Sequence, residues 1–180
     1  MEIMPFDQHG SVALPVACRP PRPSDARHLW RLARDSALED NSSYAYALLC
    51  AHFPDTCIVA VERRALAGFV VGYRPPRAPD TMFVWQVAVA GPARGRGLGT
   101  DMIVQLLDRE ELADARFLEA TVTPSNDASH RLFQAAARRL GAPFDVRPFF
   151  AADLFGEAGH EPEDLYRIGP FSHRTPPGRR

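Results

Sequence analysis

Apolar and polar positions along this chain fall into blocks with either a strand-like or a helix-like period, and the blocks alternate. "VACR" begins as a short strand, and Pro23, Ser24 and Asp25 then open a helix whose Leu29, Leu32 and Ala33 share a stripe. Asn41 and Ser42 can each cap a second helix, which Pro54 and Asp55 end; Tyr44, Leu48 and Leu49 are expected on its inner face. The β-branched and aromatic runs "TCIVAVE" and "LAGFVVGY" flank a charged turn, which predicts an antiparallel hairpin. "RPPRAPD" forces a loop, and "TMFVWQVAVA" reads as a central strand. Met102, Ile103, Leu106 and Leu107 then predict an amphipathic helix from Leu98 towards Asp114. "RFLEATVTP" is a strand, and "SNDASHRLFQAAARRLG" a helix capped by Ser125 or Asn126 and stopped by Gly141. "FDVRPFF" and "EDLYRIGPF" predict two final strands around the irregular "AADLFGEAGHEP".

This order predicts a mixed α/β fold: a mostly antiparallel central sheet with helices on both faces, and one parallel crossover where strand, helix and strand follow one another. No repeat or long linker divides the 180 residues, so one domain is expected over residues 16–171. Residues 1–15 are expected to be mobile, and residues 172–180 to form a disordered tail.

Composition removes several chemistries. A formal net charge of −1 leaves no broad basic footprint, so nucleic acid is not an expected partner. All 21 basic side chains are Arg; without Lys there is neither a Schiff-base lysine nor a phosphate-loop lysine. Cys18, Cys50 and Cys57 are odd in number and lack CxxC spacing, which argues against a disulfide framework and for a reducing, cytoplasmic setting. The N-terminal "MEIMPFDQHG" has no basic-then-apolar pattern and no apolar run reaches membrane length, so no membrane association is expected. Cys57 lies in an apolar strand without an adjacent His, which suits a buried core thiol better than an acyl-accepting nucleophile.

The chemistry concentrates in "PARGRGLGTDM". Gly95, Gly97 and Gly99 alternate with Arg96 and Leu98 just before a helix, where successive backbone N–H groups and the helix dipole favour an anion. A Walker loop would close on Gly-Lys-Ser/Thr, whereas Gly99, Thr100 and Asp101 stand here. A dinucleotide fingerprint would place its third glycine where Thr100 stands. The remaining pattern, basic-x-x-Gly-x-Gly, is met by Arg94, Gly97 and Gly99 between the "VWQVAV" strand and an amphipathic helix. In this the sequence resembles the GNAT superfamily of acyl-CoA N-acyltransferases; the competing reading is a glycine turn that only packs a helix closely.

The resemblance implies the GNAT fold, acetyl-CoA as cosubstrate and no metal. It implies a cofactor site at Arg94, Gly95, Arg96, Gly97, Leu98, Gly99 and Thr100, with the backbone of Val87 and Val89 pairing with the pantetheine arm where the strand splays from its neighbour. Asn126 matches a residue that contacts CoA in the family, and is equally suited to capping its helix. One position departs from the family: the last helix often carries a Tyr that protonates the leaving thiolate, and Phe133 stands there. Tyr166 is another tyrosine, with no local sequence support for that task.

"LEDNSSYAYALLCAHFPDTCIVA", "GFVVGYRPP", "PDTMFVWQVAV" and "GHEPEDLYRIGP" further resemble the diaminobutyrate acetyltransferases of ectoine biosynthesis, a family within that superfamily. That resemblance implies acetyl transfer to the γ-amino group of L-2,4-diaminobutyrate, and a homodimer. Such an acceptor carries two ammonium groups and one carboxylate. Candidate contacts are Asp40, Asn41, Ser42 and Tyr44 at the second helix, Trp85 and Gln86 on the central strand, and His160 and Glu161, with Glu163 nearby. Glu161 is the expected base for the amine and Asp40 the anchor for the retained ammonium, with the two roles exchangeable; N–H groups near Val87 would polarise the thioester. The same residues also read as helix caps (Asp40 to Ser42), core (Trp85) and solvated loop (His160, Glu161). The alternatives in function are a GNAT enzyme for another small amine and, on the strength of Phe133, a non-catalytic acyl-CoA-binding module; a nicotinamide-dependent oxidoreductase is a distant third.

Overall fold

The computed structural model describes residues 16–36, 38–39, 41–156 and 159–172. The expectations for residues 1–15, for 173–180 and for Asp40 lie outside the described residues.

Seven strands form one sheet in the order β1-β2-β3-β4-β5-β7-β6: β1 (Ala17–Arg19), β2 (Ile58–Glu62), β3 (Ala65–Tyr73), β4 (Thr81–Val89), β5 (Phe117–Val122), β6 (Phe144–Phe150) and β7 (Glu163–Ile168). All neighbours are antiparallel except β4 and β5, which run parallel because α3 (Leu98–Leu107) crosses over between them. Helices α1 (Ala26–Asp35) and α2 (Ser43–His52) cover one face, burying Leu29, Tyr46, Phe69 and Val71 together. On the other face α3 and α4 (Asp127–Leu140) bury Met82, Met102, Ile103, Leu118, Phe133 and Ile168.

The signals that end elements are local, and they hold. Asn126 caps α4 by accepting from the Ser129 N–H at 3.0 Å, and Gly141 ends it in the left-handed region at φ 61°. Two expectations are corrected. In α2, Tyr46, Leu49 and Cys50 face inward, whereas Tyr44 is 69% exposed and Leu48 38%; nearly every position of this helix is apolar, so its stripe has no edge to read. Helix α3 ends at Leu107, and residues 110–112 form a separate 3₁₀ turn. There Arg109 reaches across to the carbonyl oxygens of Cys57 at 2.7 Å and Pro54 at 3.3 Å.

Two irregularities in β4 set the shape of the surface beside it. Val71 pairs with Gln86 but Gly72 with Val84, so Trp85 is an extra, bulged residue. Gly72 opposite it has no room for a side chain: a Cβ would lie 2.1 Å from the Phe83 oxygen. The bulge switches which side chains face which layer, so Met82 and Val84 join the α3/α4 core and Val87 and Val89 pack on it again further along. Furthermore, β4 pairs with β5 only over Thr81–Phe83 against Phe117–Glu119. Beyond that the two strands part.

Candidate active site

The parting of β4 and β5 opens two adjoining clefts. A larger one of ≈ 870 Å³ is lined by Val87, Val89, Gly97, Thr100, Asn126 and Arg131, among others. A smaller one of ≈ 340 Å³ includes Glu39, Tyr73, Trp85, Gln86, Phe133 and Glu163 in its walls. Leu38, Val87, Thr123, Asn126 and Ser129 border both, so the clefts meet beside the middle of β4.

Backbone geometry makes the larger cleft a polar track. The Ala90 N–H donates to the Ala67 oxygen at 2.9 Å, which continues the β3–β4 register of Gly68 with Val89 and Phe69 with Ala88. Antiparallel pairing alternates, so Ala88 and Gln86 bond to β3 while the N–H and C=O groups of Val87 and Val89 point the other way, into the gap. The Val89 oxygen is taken by Arg94 Nε at 2.9 Å, which leaves the remaining groups facing the cleft.

The loop after β4 presents the end of α3 to the same cleft. Gly95 and Gly97 adopt φ 73° and 77°, a region that suits glycine, and Gly97 is the N-cap of α3 with no side-chain cap. The N–H groups of the first helical turn, at Leu98, Gly99 and Thr100, therefore have only the cleft to donate into. Gly99 serves packing instead: a Cβ there would lie 2.9 Å from Leu132 Cδ1, so its absence lets α3 approach α4. Arg96 turns out of the cleft and forms two 3.0 Å hydrogen bonds with Glu62, whose carboxyl it holds below the usual carboxylate range.

In the smaller cleft the expected residues divide. Trp85 and Gln86 line it, and Gln86 is tied to the buried Tyr46 hydroxyl. Ser42 caps α2 by accepting from the Ala45 N–H at 3.3 Å, Asn41 donates to the Glu39 carbonyl at 3.2 Å, and Tyr44 points outward; none of the three lines either cleft. Glu161 does not line it either. Its two carboxylate oxygens accept from the Ser125 hydroxyl and N–H, which fastens the segment before β7 to the start of α4. His160 stacks on Phe155, a ring in the cleft wall, at 3.8 Å between centroids. Among the described residues that border the cleft, the acidic ones are Glu39 and Glu163. Sequence reasoning did not single out Glu39, Tyr73 or Arg131; only their position beside the parted strands marks them.

Phe133 lines the smaller cleft, and the Tyr166 ring packs edge-on against it at 6.0 Å. Tyr166 is buried, is hydrogen-bonded to His130 Nδ1 and lines neither cleft. Burial, with Asp164 nearby, pushes its phenol above the usual range. Burial pushes the Cys57 thiol up to about 11 and Cys50 up to about 12, so neither supplies a thiolate at neutral pH. Among the described residues no three or more His, Cys, Asp or Glu side chains are grouped to hold a metal, and no helix is long and apolar enough to cross a membrane.

Residues 26–137 match the acetyltransferase (GNAT) family. The chain belongs to the GNAT family. Relatives are closer than the family as a whole: this GNAT chain is 51% identical over 156 residues to an L-2,4-diaminobutyric acid acetyltransferase of Nocardia farcinica, covering 86% of this chain and 80% of that one. It is 46% identical over 151 residues to the enzyme of that name from Shouchella clausii, covering 84% and 85% of the two. Among solved structures it resembles a diaminobutyrate acetyltransferase from Paenibacillus lautus, determined with its substrate L-2,4-diaminobutyric acid and coenzyme A. The TM-score is 0.84 at 40% identity, covering 90% of this GNAT chain and 99% of that one.

Proposed function

We propose that this protein transfers the acetyl group of acetyl-CoA to the γ-amino group of L-2,4-diaminobutyrate, giving the Nγ-acetyl product that ectoine biosynthesis cyclises. The observation that carries the reading is the meeting of a polar, amide-lined cleft with a carboxylate-bearing one beside Val87. Its relatives of the same named activity support the choice of acceptor.

The larger cleft fits acetyl-CoA. Uncapped amides at the α3 N-terminus, reached through Gly95 and Gly97, suit a pyrophosphate; the backbone of Val87 and Val89 suits the amides of the pantetheine arm. Asn126 keeps its Oδ1 for the α4 cap and has its amide N–H groups left to donate, while the exposed Arg131 offers a cation at the rim. Arg94 holds the end of β4 in shape through the Val89 oxygen. Arg96 contributes through the loop backbone, its guanidinium being held by Glu62. Acetyl-CoA supplies the acyl group as an activated thioester.

The protein's own part is to hold the amine beside it and remove a proton, because an ammonium group has no lone pair with which to attack. Glu163 is the base in this reading, since it lines the acceptor cleft where Glu161 does not. Glu39 anchors the retained α-ammonium, with Asp40 beside it in sequence as a further anchor. Trp85 walls the cleft, and inward N–H groups near Val87 stabilise charge developing on the thioester oxygen. Phe133 has no proton to give, so the departing thiolate takes one from solvent at the open cleft. The exposed aromatic edge of the sheet supports a homodimer, and three free cysteines suit the cytoplasm.

The test is thiol release from acetyl-CoA with L-2,4-diaminobutyrate as acceptor, with NMR of the product to locate the acetyl group. Selective Nγ-acetylation is the expected result. Release with other small amines but not with this one would move the reading to another acceptor, and CoA binding without any release would make the domain a binding module.

A further inference from the structure

We infer that Arg131 reads the 3′-phosphate of coenzyme A, so that the protein tells CoA from its 3′-dephospho form. The inference rests on the proposed acetyl-CoA site in the larger cleft.

CoA brings two separate anionic groups at its adenosine end: the 5′-pyrophosphate and, on the same ribose, the 3′-phosphate. The uncapped amides at the start of α3 suit the first. The second stands one sugar away and carries about two further negative charges, so it calls for a cation of its own.

Few cations are placed to answer it. Among the described residues that border the larger cleft, the charged ones are Arg94 and Arg131, and none is acidic. Arg94 is committed to the end of β4: its Nε donates to the Val89 oxygen at 2.9 Å and its Nη2 to the Ser36 hydroxyl at 3.5 Å. Arg96 is held by Glu62, and Arg139, further along α4, donates to Asp101 at 2.8 Å. Arg131 is held far less. Asp127, one turn back on α4, lies 4.0 Å from it, and both side chains are exposed. An exposed pair at that distance contributes little, so the guanidinium can turn to a phosphate at small cost.

Its place along the cleft fits the same end of the cofactor. Asn126 and Ser129 of α4 border both clefts, whereas Ala128, Arg131 and Leu132 border the larger one alone. Arg131 therefore stands away from the junction where the thioester reacts. The next residue, Leu132, packs on Gly99 in the first turn of α3, where a Cβ would lie 2.9 Å from Leu132 Cδ1. Arg131 thus flanks the helix start that faces the pyrophosphate, with a long side chain at the solvent rim. A guanidinium there can offer paired N–H groups to phosphate oxygens.

The measurement is calorimetry with CoA and with 3′-dephospho-CoA, which needs neither acceptor nor turnover. Wild-type protein should bind CoA roughly five-fold more tightly, and the ratio should shrink as salt is raised, because the contact is exposed. Arg131→Gln should bring the affinity for CoA down to that for the dephospho form, which should itself stay unchanged; Arg131→Ala gives the same test if the first variant does not fold. Equal affinity of the wild type for the two ligands overturns the inference. So does a folded variant that keeps the preference for CoA, or one that weakens both ligands equally, which would place Arg131 on the adenine or the pyrophosphate. Wild-type protein that binds neither ligand overturns the cofactor reading itself, an outcome distinct from a missing preference.

Discussion

Glu161 and Glu163 lie two residues apart in "GHEPEDLY", and the structure gives them different surroundings. Both oxygens of Glu161 are occupied by Ser125, whereas Glu163 opens β7 in the wall of the acceptor cleft. Glu163→Gln should therefore lower kcat by at least roughly 100-fold with little change in the KM for acetyl-CoA, as removal of a general base does. Glu161→Gln should keep the pH dependence of the wild type and raise the KM for acetyl-CoA by a small factor, because Ser125 lines the cofactor cleft. Steady-state rates of both variants from pH 6 to 10 separate the two; a flattened profile for Glu161→Gln would return the base to that residue. Nothing local in the sequence ranks these carboxylates, since both lie in a polar segment and only the placing of that segment against α4 distinguishes them. Trp85 and Gln86 were legible because a large polar-tipped pair inside an apolar strand already stands out. Glu39 was not, since its neighbours Asp40, Asn41 and Ser42 give the stronger capping signal.

At the level of elements, the turn from β4 into α3 combines two left-handed glycines with an uncapped helix start. Gly97→Ala places a Cβ at φ 77°, a strain of about 1 kcal/mol or more, in open space. The loop should relax away from that geometry, so calorimetry should find CoA binding weakened roughly ten-fold. Affinity like that of the wild type would mean that the amides are not what holds the anion. A second element junction responds to acid. Arg19 donates to Asp25 at 2.6 and 2.9 Å, joining β1 to the start of α1, and holds that carboxyl below its usual range. Because the folded state lowers this pKa, the stabilisation is complete above the ordinary Asp value of about 4 and disappears as pH falls through the folded value. Asp25→Asn should cost about 1 kcal/mol at pH 7 and progressively less as the pH falls below the ordinary Asp range, by urea unfolding across a pH series. Caps, breakers and the glycine loop were readable because their cause lies within a few residues. The bulge at Trp85 and the parting of β4 from β5 were not: both arise from pairing between strands whose partner residues, such as Gly72 and Val84 or Phe83 and Glu119, are distant in sequence, and their traces, Gly72 and an unbroken apolar run, have many other readings.

Over the whole molecule, the order of elements was enough to predict a mostly antiparallel sheet with one parallel crossover, because a helix between two strands leaves few other connections. Chain order does not reveal that β7 inserts between β5 and β6 and leaves β6 at the edge. That edge is unusual for a lone subunit. Val146, Phe149, Phe150 and Leu154 are 40%, 49%, 38% and 67% exposed, and the Phe149 and Phe150 rings pack only 4.4 Å apart. An apolar edge strand left in water invites indiscriminate pairing, so a matched second copy is its economical cover. Phe150 also lines the smaller cleft, so a second copy packed on this edge would border the proposed acceptor site. Sedimentation equilibrium should therefore give twice the chain mass, and Phe149→Glu should shift it to one. If the second copy supports the wall that Phe150 forms, that monomer will keep CoA affinity and lose affinity for the acceptor. A Phe149→Glu protein that stays dimeric would place the interface on another face.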